Sequence, residues 1–187
     1  MAFYRYSVTV FCGSRDGNNF NYTLAGKEFA AGLVTRNIRL IFGGGNVGIM
    51  GTVSDAVLDL GGCVKGIIPN FLQKTEGKHS RIKDLIVTET MHQRKQLLYR
   101  DADAFVCLPG GLGTFDEIFE IMTWKQLHLH RKPIIIANVN NWADPFFDIL
   151  NSIIHEGFAH KSILQLCTKA QNIAEVFSLL DNHFKST

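Results

Sequence analysis

The residues best suited to chemistry lie in one short glycine-rich turn, Pro109-Gly110-Gly111-Leu112-Gly113-Thr114-Phe115-Asp116-Glu117. An apolar run at residues 104–108 precedes the turn and predicts a buried strand. Residues 115–129 carry apolar side chains at helical spacing, so the turn is predicted to join a strand to a helix. Glycines at such a junction let backbone N–H groups approach an anion, and the helix dipole adds partial positive charge. The turn therefore predicts a phosphate site with the Glu117 carboxylate beside it.

Two adjacent cations, Arg94 and Lys95, lie near the start of the helix predicted just before that strand. Cations at a helix N-terminus oppose the helix dipole and need a compensating partner. A bound anion would supply one, because Arg94 offers a planar fork for phosphate or ribose oxygens and Lys95 a compact charge. A solvated basic helix start is the alternative for the pair, and an ion pair between Arg94 and Glu117 is a further one.

A second glycine loop, GGGNVGIMG at residues 43–51, contains the spacing G-x-G-x-x-G at Gly43, Gly45 and Gly48. A dinucleotide site would also require an acidic residue about twenty positions on, at the end of the next strand. The chain has Cys-Val-Lys-Gly-Ile-Ile-Pro there, which disfavours NAD or FAD. Tight helix–sheet packing explains Gly48 and Gly51. Three successive glycines are costly to order, so we expect a ligand to approach the loop at Gly44 and Gly45.

Other candidate chemistry is weaker. Glu76 lies in an irregular stretch between Pro69 and Arg81, either as a solvated charge or in a loop that covers a site or partner. The seven histidines show no metal-ligand spacing, so no metal site is expected. The pattern G-x-S-x-G is absent from the sequence, which disfavours a serine nucleophile.

Short apolar runs alternate with amphipathic stretches along the chain and predict the elements that must position these residues. Strands are predicted at residues 7–12, 38–42, 63–68, 85–87, 104–108, 133–139 and 164–167, and helices at 22–36, 47–60, 91–100, 115–129, 145–155 and 173–184. This alternation predicts a Rossmann-like, doubly wound parallel sheet in three layers, formed as one domain over residues 1–187. Ligands bind such sheets where the strand order reverses, so the glycine turns after residues 12, 42 and 108 should meet at one rim.

Composition narrows the partners and the compartment. The chain has 187 residues, 46% of them hydrophobic, and its 19 basic and 17 acidic side chains are spread without runs. That balance disfavours nucleic acid and acidic membranes as partners and favours a small molecule. The four cysteines have neither zinc nor disulfide spacing, so free thiols in a reducing compartment are expected. We predict a cytoplasmic protein with no signal peptide and no membrane span.

Taken together, these motifs resemble the Lonely Guy (LOG) family, the cytokinin-activating phosphoribohydrolases often labelled lysine decarboxylases. The family signature P-G-G-x-G-T-x-x-E is matched in full by the chain, at Pro109, Gly110, Gly111, Gly113, Thr114 and Glu117. Arg94 and Lys95 match the associated R-K pair, and residues 43–51 match the glycine loop. The resemblance runs from residue 12 to the tail.

The resemblance implies hydrolysis of the N-glycosidic bond of an adenosine 5′-monophosphate, plain or N6-modified, to free base and ribose 5-phosphate, with no cofactor. It implies Arg94 and Glu117 as the catalytic pair. The substrate-binding residues expected from it and from the loops are Glu76, Lys95, Gly111, Leu112, Gly113, Thr114, Phe115, Asp116, Thr123, Gly44 and Gly45. It also implies a homodimer or larger assembly with the site near the subunit interface. Leu112 and Phe115 replace the tyrosine and leucine common in the family, which affects the shape of the pocket.

Two other functions have to be considered beside hydrolysis. A protein of the same fold could bind or sense a nucleotide without hydrolysing it, although intact Arg94 and Glu117 argue against that interpretation. Amino-acid decarboxylation would normally require a pyridoxal cofactor held as a lysine Schiff base. The sequence has no phosphate loop paired with a lysine in a way that favours this chemistry.

Overall fold

One parallel sheet carries the residues described above. The computed structural model describes residues 4–74 and 79–186. Within them the strands are β1 Tyr6–Phe11, β2 Ile38–Phe42, β3 Val64–Pro69, β4 Asp84–Thr88, β5 Ala104–Cys107, β6 Ile134–Ala137 and β7 Thr168–Ala170. The helices are α1 Phe20–Thr35, α2 Gly48–Asp59, α3 Met91–Arg100, α4 Leu112–Gln126, α5 Asp144–His155 and α6 Ile173–Lys185. The strand order is β4-β3-β2-β1-β5-β6-β7, with every pairing parallel.

Helices cover both faces of the sheet, which explains why β5 and β6 are apolar throughout. β5 and β6 are buried at every residue. Helices α1, α2 and α6 pack on one face, where Phe29 and Phe177 stack with ring centroids 5.2 Å apart. Helices α3, α4 and α5 pack on the other around Ile118 and Phe146. Each fully buried side chain of this size contributes roughly 1.5–3 kcal/mol of hydrophobic free energy. The predicted three-layer, Rossmann-like fold is confirmed.

The strand order reverses between β1 and β5. The chain moves from β1 outward to β4, then returns beside β1 as β5 and moves outward the other way. The Gly13 N–H donates a hydrogen bond to the Pro109 carbonyl across this junction, at 3.0 Å. The Gly13 carbonyl accepts one from the Met50 N–H at 3.1 Å, which links the junction to the start of α2. In a doubly wound sheet, such a junction is where ligands bind.

Two predicted elements differ from the structure. Helix α4 begins at Leu112 rather than at residue 115, because Gly111 caps it in an extended conformation and Gly113 already lies in the first turn. Glu117 is therefore in the second turn. The strand predicted at residues 164–167 is wrong: Lys161–Gln165 form a short 3-10 helix, and pairing with β6 starts at Thr168. Leu166 and Cys167 of this segment pack against the α5 side of the core, whereas Leu164 is exposed.

Two further observations concern the cysteines and the helices of the described residues. All four cysteines are thiols outside any disulfide; Cys12, Cys107 and Cys167 are buried and Cys63 is half-buried. The prediction of free thiols is confirmed. No helix within residues 4–74 and 79–186 has both the length and the apolar character needed to cross a membrane.

Candidate active site

A cavity of about 150 Å³ lies at the carboxyl ends of β1, β2 and β5, beside the point where the strand order reverses. Gly13, Gly43 and Gly111, one from each glycine turn, contribute to its wall. The prediction that the three turns meet at one rim is confirmed. The other lining residues are Val10, Cys12, Ser14, Met50, Met91, Arg94, Leu112, Gly113, Thr114, Asp116 and Glu117.

One wall of the cavity is the N-terminus of α4. The first N–H groups of a helix have no acceptor within the helix, and the dipole places partial positive charge there. A Cβ atom built on Gly111 or Gly113 would meet no protein atom within 4 Å, so neither glycine is required by packing. At Gly110, by contrast, a Cβ atom would collide with the Thr114 hydroxyl and approach the Gly13 nitrogen at 2.8 Å. The open space over Gly111 and Gly113 is suited to an anion.

Arg94 and Glu117 face each other in the same cavity. Helix α3 brings Arg94 there, capped by Thr90, whose hydroxyl accepts a hydrogen bond from the Gln93 N–H at 3.2 Å. The Arg94 Nη2 atom lies 3.6 Å from Oε1 of Glu117, and the two side chains are only 7% and 12% exposed. Within the described residues, Nε of Arg94 has no hydrogen-bond partner. A buried guanidinium with an unfilled donor is unfavourable, and an anionic or ribosyl ligand would relieve that cost.

The glycine loop after β2 makes room for this pair. A Cβ atom on Gly43 would collide with the Arg94 guanidinium, so any side chain at that position would have to displace it. Gly44 and Gly45 are buried and do not line the cavity. Gly44 has a φ of +79°, and a Cβ atom there would press on Ile68 at 3.0 Å. The loop thus contributes to the site through Gly43, which the sequence reasoning did not select.

Cys12 also lines the cavity, close enough to Glu117 to be affected by its charge. Burial, and secondarily the charge of the nearby Glu117, raise the pKa of the Cys12 thiol well above its ordinary value. A thiol of this kind stays protonated near neutral pH and is a poor nucleophile. Among the described residues that line the cavity, the charged side chains are Arg94, Asp116 and Glu117.

Lys95 points away from the cavity, toward the side of α4. Its Nζ atom lies 2.8 Å from a carboxylate oxygen of Asp116 and 3.5 Å from one of Glu120. Burial lowers the pKa of Lys95, but the hydrogen bond that its ammonium donates to Asp116 and the charge of Glu120 outweigh that effect and raise the pKa overall. Lys95 is thus a firmly protonated ammonium that ties α3 to α4. The compensating partner that it needs at the start of α3 comes from the protein itself.

The remaining predicted residues are spread around the site. Phe115 does not line the cavity; its ring stacks on Trp142 with centroids 5.2 Å apart. Thr123 is exposed on α4, and its hydroxyl donates to the Phe119 carbonyl at 2.7 Å. Leu112 is 87% exposed and stands at the mouth of the cavity. Glu76 lies outside the described residues.

A second, larger cavity of about 470 Å³ adjoins the first. Gly13, Ser14, Gly111 and Leu112 line both cavities. The second cavity is also lined by Arg15, Asp16, Gly17, Tyr22, Ile49, Pro109, Gly110 and Trp142. Sequence reasoning missed Trp142, although it follows β6 at the same rim of the sheet. Its position just beyond the carboxyl end of a parallel strand was the signal that could have identified it.

Solved structures share this architecture. A molybdenum cofactor carrier protein from Chlamydomonas reinhardtii has a TM-score of 0.73 at 18% identity, covering 98% of this chain and 99% of that one. The molybdenum cofactor binding protein from Rippkaea orientalis has a TM-score of 0.71 at 18% identity, covering 96% and 98%. The fold and site together define a Rossmann-like α/β protein with a glycine turn at the reversal point of its sheet.

Sequence relatives assign the family. The family model described as possible lysine decarboxylase matches residues 50–180. The cytokinin riboside 5′-monophosphate phosphoribohydrolase LOG2 of Arabidopsis thaliana is 42% identical over 176 residues, covering 94% of this chain and 83% of that protein. The phosphoribohydrolase LOG of Oryza sativa subsp. japonica is 38% identical over 176 residues, covering 94% and 73%. The chain belongs to the LOG family, and the resemblance found in its motifs is confirmed.

Proposed function

We propose that this protein hydrolyses the N-glycosidic bond of an adenosine 5′-monophosphate, plain or N6-modified, to free base and ribose 5-phosphate. The observation that carries the proposal is the buried Arg94 facing Glu117, in a cavity that the open N-terminus of α4 also lines. Family relatives named for this reaction, at 38% and 42% identity, support it.

The geometry fits the charges that develop in the reaction. Cleavage builds positive charge on the ribose ring as the bond between C1′ and the base nitrogen breaks. A carboxylate beside C1′ stabilises that charge or accepts a proton from the attacking water. The water oxygen then bonds to C1′, the electron pair of the broken bond goes to the base, and the base nitrogen takes up a proton. We assign the carboxylate role to Glu117 and the orientation of ribose or phosphate to Arg94.

The 5′-phosphate is assigned to the start of α4. Gly111, Leu112, Gly113 and Thr114 supply backbone N–H groups and open space there, and Asp116 borders the same cavity. Lys95 acts through its ion pairs, which hold α3 against α4 and keep the catalytic pair facing. Phe115 supports the turn by stacking on Trp142.

The remaining assignments concern the surroundings of the cavity. Gly44 and Gly45 shape the loop that carries Gly43. Glu76 stays a predicted substrate contact. Thr123 is exposed on α4, so it can approach a substrate only if another subunit brings a second site against it.

The assembly and the compartment are part of the same proposal. We assign a homodimer or larger homo-oligomer, with a small-molecule nucleotide as the ligand and no cofactor. The free thiols favour a reducing compartment, and we place the protein in the cytoplasm.

Lysine decarboxylation, the description of the matching family model, is disfavoured by the described part of the site. Among the described residues that line the two cavities, none is a lysine. Lys95 is held as an ammonium by Asp116 and Glu120, which raises its pKa. A Schiff base needs the neutral amine, so this environment opposes its formation.

The test is product formation from AMP and from isopentenyladenosine monophosphate, resolved by chromatography of the free base. The wild-type protein should release base from at least one of them. Glu117→Gln keeps the size of the side chain but removes its charge, and should lower kcat by about 10²- to 10⁴-fold, the range for a positioned acid–base or electrostatic group. Asp148→Asn, an exposed carboxylate on α5, is the matched control.

The outcomes separate the competing functions. No base from either substrate, or undiminished turnover in Glu117→Gln, would reject the hydrolase. Tight binding of nucleoside monophosphates without product would favour a binding or sensing protein of the same fold.

A further inference from the structure

The carbonyl oxygens of Pro109, Gly110 and Gly111, the first three residues of the glycine turn (here called the anion turn), each accept a hydrogen bond from the protein. The Pro109 carbonyl accepts the Gly13 N–H at 3.0 Å, and the Gly111 carbonyl accepts the Phe115 N–H at 3.2 Å. The Gly110 carbonyl accepts the indole N–H of Trp142 at 3.1 Å. Two of these donors belong to the backbone. The third belongs to a side chain and can be removed by substitution.

The direction of these carbonyls matters for binding an anion. A carbonyl oxygen that faces a phosphate repels it, whereas an N–H group attracts it. The peptide between Gly110 and Gly111 joins two residues without side chains, so few steric barriers fix its orientation. A hydrogen bond to the Gly110 carbonyl therefore biases this peptide toward the orientation in which only donors face the cavity.

Trp142 is itself well held in place. Its backbone N–H donates to the Val139 carbonyl at 3.1 Å, just after β6. The next N–H, of Ala143, donates to the side chain of Asn138 at 2.8 Å. The Trp142 ring stacks on Phe115, with 17° between the ring planes. The indole is thus fixed from the β6 side and from α4, and it can act as a rigid donor.

We propose that Trp142 is a positioning residue of the anion site. Its indole N–H holds the Gly110 carbonyl so that the turn presents N–H groups to the 5′-phosphate. Trp142 then controls the affinity for the phosphate-bearing part of the ligand, and it takes no part in bond cleavage. The inference rests on the proposed function for the identity of the ligand, but the anion chemistry is testable without turnover.

The chain has two tryptophans, which provides a matched control. Trp124 packs edge-on against Tyr99, with ring centroids 4.9 Å apart, on a different part of α4. Trp142→Phe keeps the stacked ring and removes the N–H, whereas Trp124→Phe makes the same chemical change away from the turn. Trp142→Phe should raise the Kd for ribose 5-phosphate and the KM for AMP by about 3- to 10-fold, the value of one neutral hydrogen bond. Its kcat should stay within about twofold of wild type, and Trp124→Phe should change neither constant.

A second variant keeps the test informative if Trp142→Phe folds poorly. Phe115→Leu retains the indole donor but removes the ring on which it stacks, so it should shift the same Kd in the same direction by a smaller factor. Binding of adenosine, which lacks the phosphate, should be equal in all of these proteins. Equal Kd values for ribose 5-phosphate in wild type and Trp142→Phe would overturn the proposal, as would a loss confined to kcat.

Fluorescence separates this inference from the proposed hydrolase. Trp124→Phe leaves Trp142 as the single tryptophan, and its emission should change on titration with inorganic phosphate. Trp142→Phe leaves Trp124, whose emission should not change. Phosphate binding with this pattern but no hydrolysis of any nucleotide would reject the proposed function and leave the role of Trp142 in place. Hydrolysis in wild type without any phosphate response of Trp142 would reject the role and keep the function.

Discussion

At the scale of single residues, the site depends on a buried arginine and the space made for it. Arg94 is 6% exposed, and burying a guanidinium is costly unless a partner compensates its charge. Glu117 provides the charge at 3.6 Å, while Gly43 provides the volume. Glycine at position 43 is thus explained by the arginine that it admits.

Gly43→Ala tests that explanation. The added methyl group would displace the Arg94 guanidinium, so kcat for AMP should fall by about 10- to 100-fold, as expected when a positioning group is misplaced by about 1 Å. Steady-state kinetics with a thermal melt as the folding check would measure it. Wild-type kcat in a folded Gly43→Ala protein would mean that the position of Arg94 is not critical.

At the scale of elements, the start of α4 keeps a glycine where a helix would prefer a side chain. Glycine within a helix costs roughly 0.5–1 kcal/mol relative to alanine. Nothing in the fold opposes a Cβ atom at Gly113, whereas Gly110 is held by contact with Thr114. Gly113 therefore lowers the stability of α4, whereas Gly110, just before the helix, allows close packing against Thr114.

Gly113→Ala should separate stability from binding. We expect the free energy of unfolding to rise by about 0.5–1 kcal/mol, while the Kd for ribose 5-phosphate rises about tenfold because the methyl group enters the anion space. Gly110→Ala should instead lower the free energy of unfolding, since its Cβ atom collides with Thr114. Denaturant titration and calorimetry measure the two quantities. Unchanged phosphate affinity in Gly113→Ala would place the anion elsewhere.

A charged contact joins the end of α3 to β3. Asp101, the C-cap residue of α3, lies 2.6 Å from Nζ of Lys65. Burial raises the pKa of Asp101, but hydrogen bonds from Arg100 and Lys65 outweigh it and hold the pKa below its ordinary value. A carboxyl with a lowered folded-state pKa contributes stability above its unfolded pKa of about 3.9, and that contribution is lost as the pH falls through the folded value.

Asp101→Asn should reveal this dependence in thermal melts between pH 3 and 7. The Tm difference from wild type should be largest near pH 6 to 7. It should shrink as the pH falls below the unfolded pKa of about 3.9 toward the lower folded value. Asp148→Asn, which alters an exposed carboxylate, should show little difference at any pH. A difference that grows toward low pH would contradict the assigned direction.

At the scale of the whole molecule, the reversal of strand order assembles the site from distant segments. The turns after β1, β2 and β5 supply its glycines, α3 supplies Arg94, and α4 supplies Glu117. The sheet ends at β4, where Val87 is 46% exposed at the edge. A groove of about 660 Å³ runs along this edge between β4 and α3, next to the helix that carries Arg94. An exposed apolar edge of this kind favours association.

We expect the protein to form a homodimer or larger homo-oligomer in solution. Light scattering after gel filtration should give a mass of at least twice the 20.9 kDa of the chain. Val87→Lys should shift the mass toward the monomer, because a charge at a sheet edge opposes pairing. A wild-type monomer with full activity at the assay concentration would reject the assembly.

The sequence by itself determined the glycine turn between β5 and α4, the alternation of strands and helices, and the rim on which the glycine turns meet. These features follow from local chemistry: glycine at a strand–helix junction, apolar periodicity, and the shared direction of parallel strands. Helix boundaries shifted by a few residues where a cap, not periodicity, decided them, as at Gly111.

Only the tertiary structure decided which side chains meet. It turned Arg94 toward Glu117 but its neighbour Lys95 toward Asp116 and Glu120. It also selected Gly43 over Gly44 and Gly45 as the glycine of the cavity wall, and brought the indole of Trp142 to the Gly110 carbonyl. Adjacent residues on a helix differ by about 100° in direction. Their partners are therefore set by how helices pack on the sheet, which the order of residues along the chain does not encode locally.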